Sequence, residues 1–126
     1  MQTINTLARL GLAFTWLYHG LVPKLIFMHP DELLPLLNAG LPEDRAVLFV
    51  KLAGWAEISL GLAMLVLRRA RWPYYLTALL MIPAAATVLL YAPTLFRGAF
   101  NPASLNVLVF VLAVIGLASH RESLEK

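Results

Sequence analysis

The residues with the most chemistry to offer lie in WLYHGLVPK, Trp16 to Lys24, where an imidazole and an ammonium interrupt an apolar run. At about 100° per residue, Trp16, His19, Gly20, Pro23, Lys24 and Phe27 share one helix face roughly 140° wide. Pro23 has no N–H to give to the carbonyl four residues back, so the carbonyl of His19 is expected to be free on that same stripe. A second pair, Lys51 and Glu57, flanks Gly54 in a later apolar segment, and Asn101, Ser104 and Asn106 open another. Imidazole and carboxylate exchange protons, ammonium and carboxamide groups donate hydrogen bonds, and Trp16, Phe27 and Trp55 add ring-sized apolar surface.

The elements that position these groups follow from composition. The chain has 126 residues, 60% of them hydrophobic and 13% charged, with a mean hydropathy of +0.76, far more apolar than an ordinary soluble domain. A membrane span needs about 20 predominantly apolar residues. Four segments qualify, at residues 4–27, 46–67, 72–91 and 103–118, so residues 1–126 read as one transmembrane domain. The expected fold is all-α: an antiparallel four-helix transmembrane bundle with a short amphipathic external connection between the first two helices. The first segment is too long for the apolar core of a secretory signal and ends without a small-residue cleavage site, so it reads as a retained helix.

The high pI, about 9.6, reflects membrane topology. With four alternating spans, Arg9, Arg68, Arg69, Arg71, Arg121 and Lys126 fall on one side, and only Arg45 and Arg97 in the loops of the other. By the positive-inside rule both termini are then cytoplasmic, and no nucleic-acid partner is needed to explain the charge. There is no cysteine, which excludes disulfides, thiolate metal sites and a CxxC redox pair. His29 and His120 fall at opposite surfaces, leaving His19 alone at depth, so no metal site is expected.

A rise of about 1.5 Å per residue places His19 and Glu57 near the middle of their spans, and Lys24 and Lys51 roughly 8–10 Å towards the outer side. Ionisable groups at such depth face the bundle interior, pair, and mark function by default. Glu57 is expected between the first two spans, within reach of His19, Lys51 or Lys24. Gly54 and Gly61 share the face that packs on the first span. HPDELLPLLNAG makes the external amphipathic helix, with Asp31 and Glu32 in its first turn, lying on the membrane surface or capping the bundle. Tyr74, Tyr75 and Tyr91 read as interfacial anchors. Asn101 reads as an N-cap, with Pro102 in the first helical position.

WLYHGLVPK at 16–24, AGWAEISLG at 53–61 and FNPASLN at 100–106 resemble the DoxX-like family of small bacterial four-helix membrane proteins. The resemblance implies corresponding roles for His19, Lys24, Glu57 and Asn101. It also implies a setting in membrane redox chemistry, since the wider group includes subunits associated with thiosulfate-to-quinone oxidation and with thiol-redox complexes. The ligand-binding candidates are therefore His19, Lys24, Lys51, Glu57, Asn101, Asn106, Trp16 and Trp55. Two functions stay open. In one, these residues line a pocket for a quinone-like molecule or a comparable lipid head group, which needs an apolar slot, donors for carbonyl oxygens and a proton-exchanging group. In the other, the chain is a non-catalytic accessory subunit that stabilises a membrane redox complex. Beyond a quinone no cofactor is expected, and the partners are the lipid bilayer, a membrane or soluble redox protein, or a second copy of the chain.

Overall fold

The computed structural model describes residues 1–124, with side chains through His120; the side chain of Arg121 and the whole of Lys126, counted above with the basic flank, lie outside the described residues. Every regular element among the described residues is helical. Helix α1 (Gln2–His19) runs on through a π-helical stretch (Gly20–Ile26), followed by α2 (Pro30–Asn38), α3 (Glu43–Val66), α4 (Trp72–Tyr91), a 3-10 turn (Pro93–Arg97) and α5 (Pro102–Leu124). Helices α3, α4 and α5 are long and apolar enough to cross a membrane. The α1 and π-helical segment passes the same test jointly with α2, from which it is bent by 80°.

Local chemistry sets the boundaries. Helix α3 starts at Glu43 and Asp44 behind Pro42, acidic residues that suit the positive end of the helix dipole. Helix α5 starts as the sequence indicates: the side-chain oxygen of Asn101 accepts the N–H of Ser104 at 3.1 Å, and Pro102 takes the first helical position. At α2 the capping acceptor is Nδ1 of His29, 3.1 Å from the N–H of Asp31. The sharp bend before α2 runs through Met28, whose φ of 44° is left-handed, a conformation that costs a non-glycine residue about 1 kcal/mol or more.

The carbonyl of His19 does not stay free. A π-helix bonds each carbonyl to the N–H five residues on, so over Gly20–Ile26 the His19 carbonyl takes the N–H of Lys24 in place of the one Pro23 lacks. The stretch closes with Phe27 N–H on the Val22 carbonyl at 3.1 Å.

Helix α1 packs against both α3 and α5, and α4 packs against α5; α3 and α4 meet only slightly, and α2 lies across both. The core is formed by Leu12, Ala13, Met64, Tyr74, Val109 and Ala113. Tyr74 is therefore no interfacial anchor. Its ring occupies the space that a side chain at Gly116 would fill, whereas Tyr75 and Tyr91 remain exposed. The outward faces carry Leu7, Phe14, Leu48, Val66, Leu79, Leu90 and Leu108. Apolar sides of this kind are what helices in contact with lipid require.

Candidate functional site

The site begins with a close approach of two backbones. A Cβ placed on Gly20 would come within 2.5 Å of the Gly54 carbonyl oxygen, and one on Gly54 within 2.9 Å of the Gly20 carbonyl oxygen. Glycine at both positions lets α3 lie directly against the start of the π-helical stretch. Gly61, one heptad beyond Gly54, packs in the same way on Ala13 and Leu17. The glycine face read from the sequence is thus the α1–α3 contact.

That contact brings Lys24 to Glu57. The ammonium nitrogen of Lys24 lies 3.2 Å from Oε2 of Glu57 and 3.1 Å from Oε2 of Glu32 on α2. One cation thus joins three helical segments, with its side chain only 11% exposed. Oε2 of Glu57 is buried and, among the described residues, meets the Lys24 ammonium as its one donor, which leaves it able to accept another. A buried acceptor in that state favours an incoming donor. His19 is half-buried at the junction of α1 and the π-helical stretch, within electrostatic range of Lys24 and Glu32. Its ring lies edge-on to Tyr18, with centroids 6.1 Å apart.

The remaining sequence candidates lie elsewhere. Lys51 is exposed and, among the described residues, makes no ion pair, and the partner of Glu57 is Lys24. Trp55 is 62% exposed on the outer side of α3. Trp16 is buried, and its indole N–H donates to the Thr77 hydroxyl at 3.0 Å, which makes it a tie between α1 and α4. Asn101 caps α5. Asn106 lines a separate cavity of about 350 Å³ between α4 and α5, with Met81, Phe96 and Phe110 among its walls and none of His19, Lys24 or Glu57.

Glu32 is the member that the sequence did not identify. Its place in the first turn of an amphipathic helix accounted for its charge, and nothing in the hydropathy pattern shows that α2 folds back over the bundle. The available signal was its separation of only eight residues from Lys24, short enough for the two to meet across one bend.

Helix α2 closes the site from the end of the bundle. Pro35 is buried, Leu33, Leu34 and Leu36 are half-buried, and the Asn38 side-chain amide donates to the Tyr91 carbonyl at 2.7 Å. Helix α2 therefore caps the bundle, one of the two placements expected for it. The result is an ammonium and two carboxylates gathered under a short helix, with an imidazole nearby, and such a set can bind a polar head group and hold or pass a proton.

Comparison with curated proteins finds no match, and comparison with solved structures finds none. A protein-family model does match. The model of the DoxX-like family covers residues 13–114, a stretch that contains His19, Lys24, Glu32 and Glu57, two of the three helices of membrane-crossing length and the first half of the third, and the chain is therefore a membrane protein belonging to the DoxX-like family.

Proposed function

We propose that the chain forms an antiparallel four-helix transmembrane bundle whose Lys24–Glu57–Glu32 cluster, with His19, binds the head group of a quinone-like ligand. The observation that carries this reading is the buried Oε2 of Glu57, whose one donor among the described residues is a lysine already shared with Glu32. A hydroxyl on the ligand, as in a quinol, satisfies that oxygen. The third N–H of the ammonium is available to a second ligand oxygen, and the apolar flanks of α1 and α3 take the tail. The chain handles the proton, and a membrane or soluble redox partner exchanges the electrons.

In this reading the cluster lies towards the outer face of a bacterial inner membrane, and both termini are cytoplasmic. The cysteine-free chain makes orientation simple to test. A cysteine at Ala99 should react with an impermeant thiol reagent in intact cells, and protection there would invert the topology.

The test of ligand binding is mass spectrometry of small molecules that co-purify with the protein. A quinone-type ligand should be retained by the parent and by Lys51→Met, and depleted roughly tenfold in Glu57→Gln, the size of effect expected when one hydrogen bond to a charged group is lost. Recovery of bulk phospholipid alone, unchanged by Glu57→Gln, would overturn the ligand site and leave the accessory-subunit function.

A further inference from the structure

At the end of the bundle opposite α2 a cavity of about 400 Å³ opens among the N-terminal turns of α1, the end of α3, the α3–α4 turn and the end of α5. That volume falls within the range of small-ligand sites, about 300–1,000 Å³. Three guanidinium-bearing residues, Arg9, Arg68 and Arg69, line it together with Gln2, Thr6 and His120, and among the described residues no acidic side chain does. We infer that this cavity binds a phosphate-bearing anion, in the form of a lipid head group or of free phosphate.

The arginines have different parts. Arg9 is 5% exposed and donates to four backbone carbonyls, those of Met64 at 2.8 Å, Leu67 at 3.2 Å, Arg68 at 3.1 Å and Ala70 at 3.5 Å. It fixes the α3–α4 turn and leaves a permanent positive charge in the cavity wall. A ring nitrogen of His120 lies 3.2 Å from the Arg69 carbonyl and holds the same turn from α5. The backbone that carries Arg68 and Arg69 is thus fixed from two sides, while their side chains are exposed and, among the described residues, in no ion pair.

Guanidinium groups presented from a fixed turn match phosphate oxygens in fork geometry. The Gln2 side-chain amide on the facing wall adds a neutral donor. Leu10 and Leu65 also line the cavity, and Leu10 is about half exposed on the outer side of α1. The wall therefore passes from basic to apolar, the order in which an anionic lipid presents its phosphate and its chains.

The experiment uses the full chain in mild detergent, titrated with dioctanoyl phosphatidylglycerol, dioctanoyl phosphatidylcholine or inorganic phosphate and read by native mass spectrometry. A saturable one-to-one complex with phosphatidylglycerol, weakened about fivefold for each arginine removed in Arg68→Gln and in the Arg68→Gln/Arg69→Gln pair, is expected for cations near an anionic head group. These substitutions leave the carbonyls that Arg9 uses in place, so an unchanged melting temperature shows that the fold is intact. Thr6→Phe should abolish the complex by filling the cavity with every charge retained, which separates a built site from general attraction to a basic surface. Inorganic phosphate binding as tightly as the lipid would identify the free anion as the source, and phosphate failing to compete would identify the lipid. Equal binding of phosphatidylcholine and phosphatidylglycerol, or a complex indifferent to both the arginine pair and Thr6→Phe, would overturn the inference.

Discussion

The bundle buries a cation near each end and satisfies the two in opposite ways. Near one end the Arg9 guanidinium meets four neutral carbonyls and lies over the Tyr74 ring, 4.8 Å from its centroid. Near the other the Lys24 ammonium meets two carboxylates from separate helices. The Met64 carbonyl belongs to the last turn of α3, where acceptors lack intrahelical partners, those of Leu67, Arg68 and Ala70 to the turn beyond it, and a planar donor fork gathers several of them at once. That arrangement changes only if the helix end itself moves. Lys24, by contrast, is held by groups that can take a proton, reorient, or exchange the ammonium for a ligand. Burial of charge alone therefore does not identify a functional site; the nature of the counter-group does.

The most damaging way to break this comparison is at the carbonyl-bound end. Arg9→Met removes the donors that close α3 and should destabilise the protein by about 3 kcal/mol or more, as expected for several hydrogen bonds to a charged group. Arg9→Lys should recover only part of that, since an ammonium cannot span the same fork of acceptors. Thermal unfolding in detergent checks both, and full recovery by lysine would mean that charge rather than geometry holds the turn.

At the carboxylate end Lys24→Met leaves Glu57 and Glu32 without their cation and should cost about 3 kcal/mol, in the range for breaking a buried pair. The triple substitution Lys24→Met, Glu57→Leu, Glu32→Leu should melt closer to the parent, because replacing a buried ion cluster costs less than breaking it. A triple variant less stable than Lys24→Met alone would show that the cluster stabilises the fold outright. The smallest effect is expected at Lys51: Lys51→Met should shift stability by no more than about 0.5 kcal/mol, as for an unpaired surface position. A larger loss would place Lys51 inside the network.

The sequence makes legible whatever depends on periodicity. All four apolar segments are helical, the Gly54 and Gly61 face is the α1–α3 contact, and Asn101 caps the last helix. Legibility fails where one residue type serves two environments. Tyr74 and Tyr75 are neighbours with the same apparent use, yet one is buried against Gly116 and the other faces outward. Trp16 and Trp55 diverge in the same way. Arg9 counts as a basic flank by position, and only the approach of the α3 terminus turns it into a clamp. At the candidate site the helix faces bring Lys24 and Glu57 together, but the choice among His19, Lys51 and Lys24 depends on backbone separation, and Glu32 joins only through the 80° bend. Those are facts about long-range contact, to which hydropathy is blind.

The π-helical stretch has a consequence for how such a chain can change length. Relative to an α-helix, a π turn holds one additional residue in the same axial span. If all seven residues from Gly20 to Ile26 instead formed regular α-helix, with none removed, the two halves of the segment would rotate against each other by about 100°. The first half is fixed by Asn5 on the Gly116 carbonyl and by Trp16 on Thr77, and the second by Lys24 on its two carboxylates. Both sets of contacts cannot survive that rotation. The extra residue is taken up by the wide turn, which keeps both neighbourhoods in register along one continuous rod, so loss of one residue within these seven should be tolerated better than loss of one elsewhere in α1.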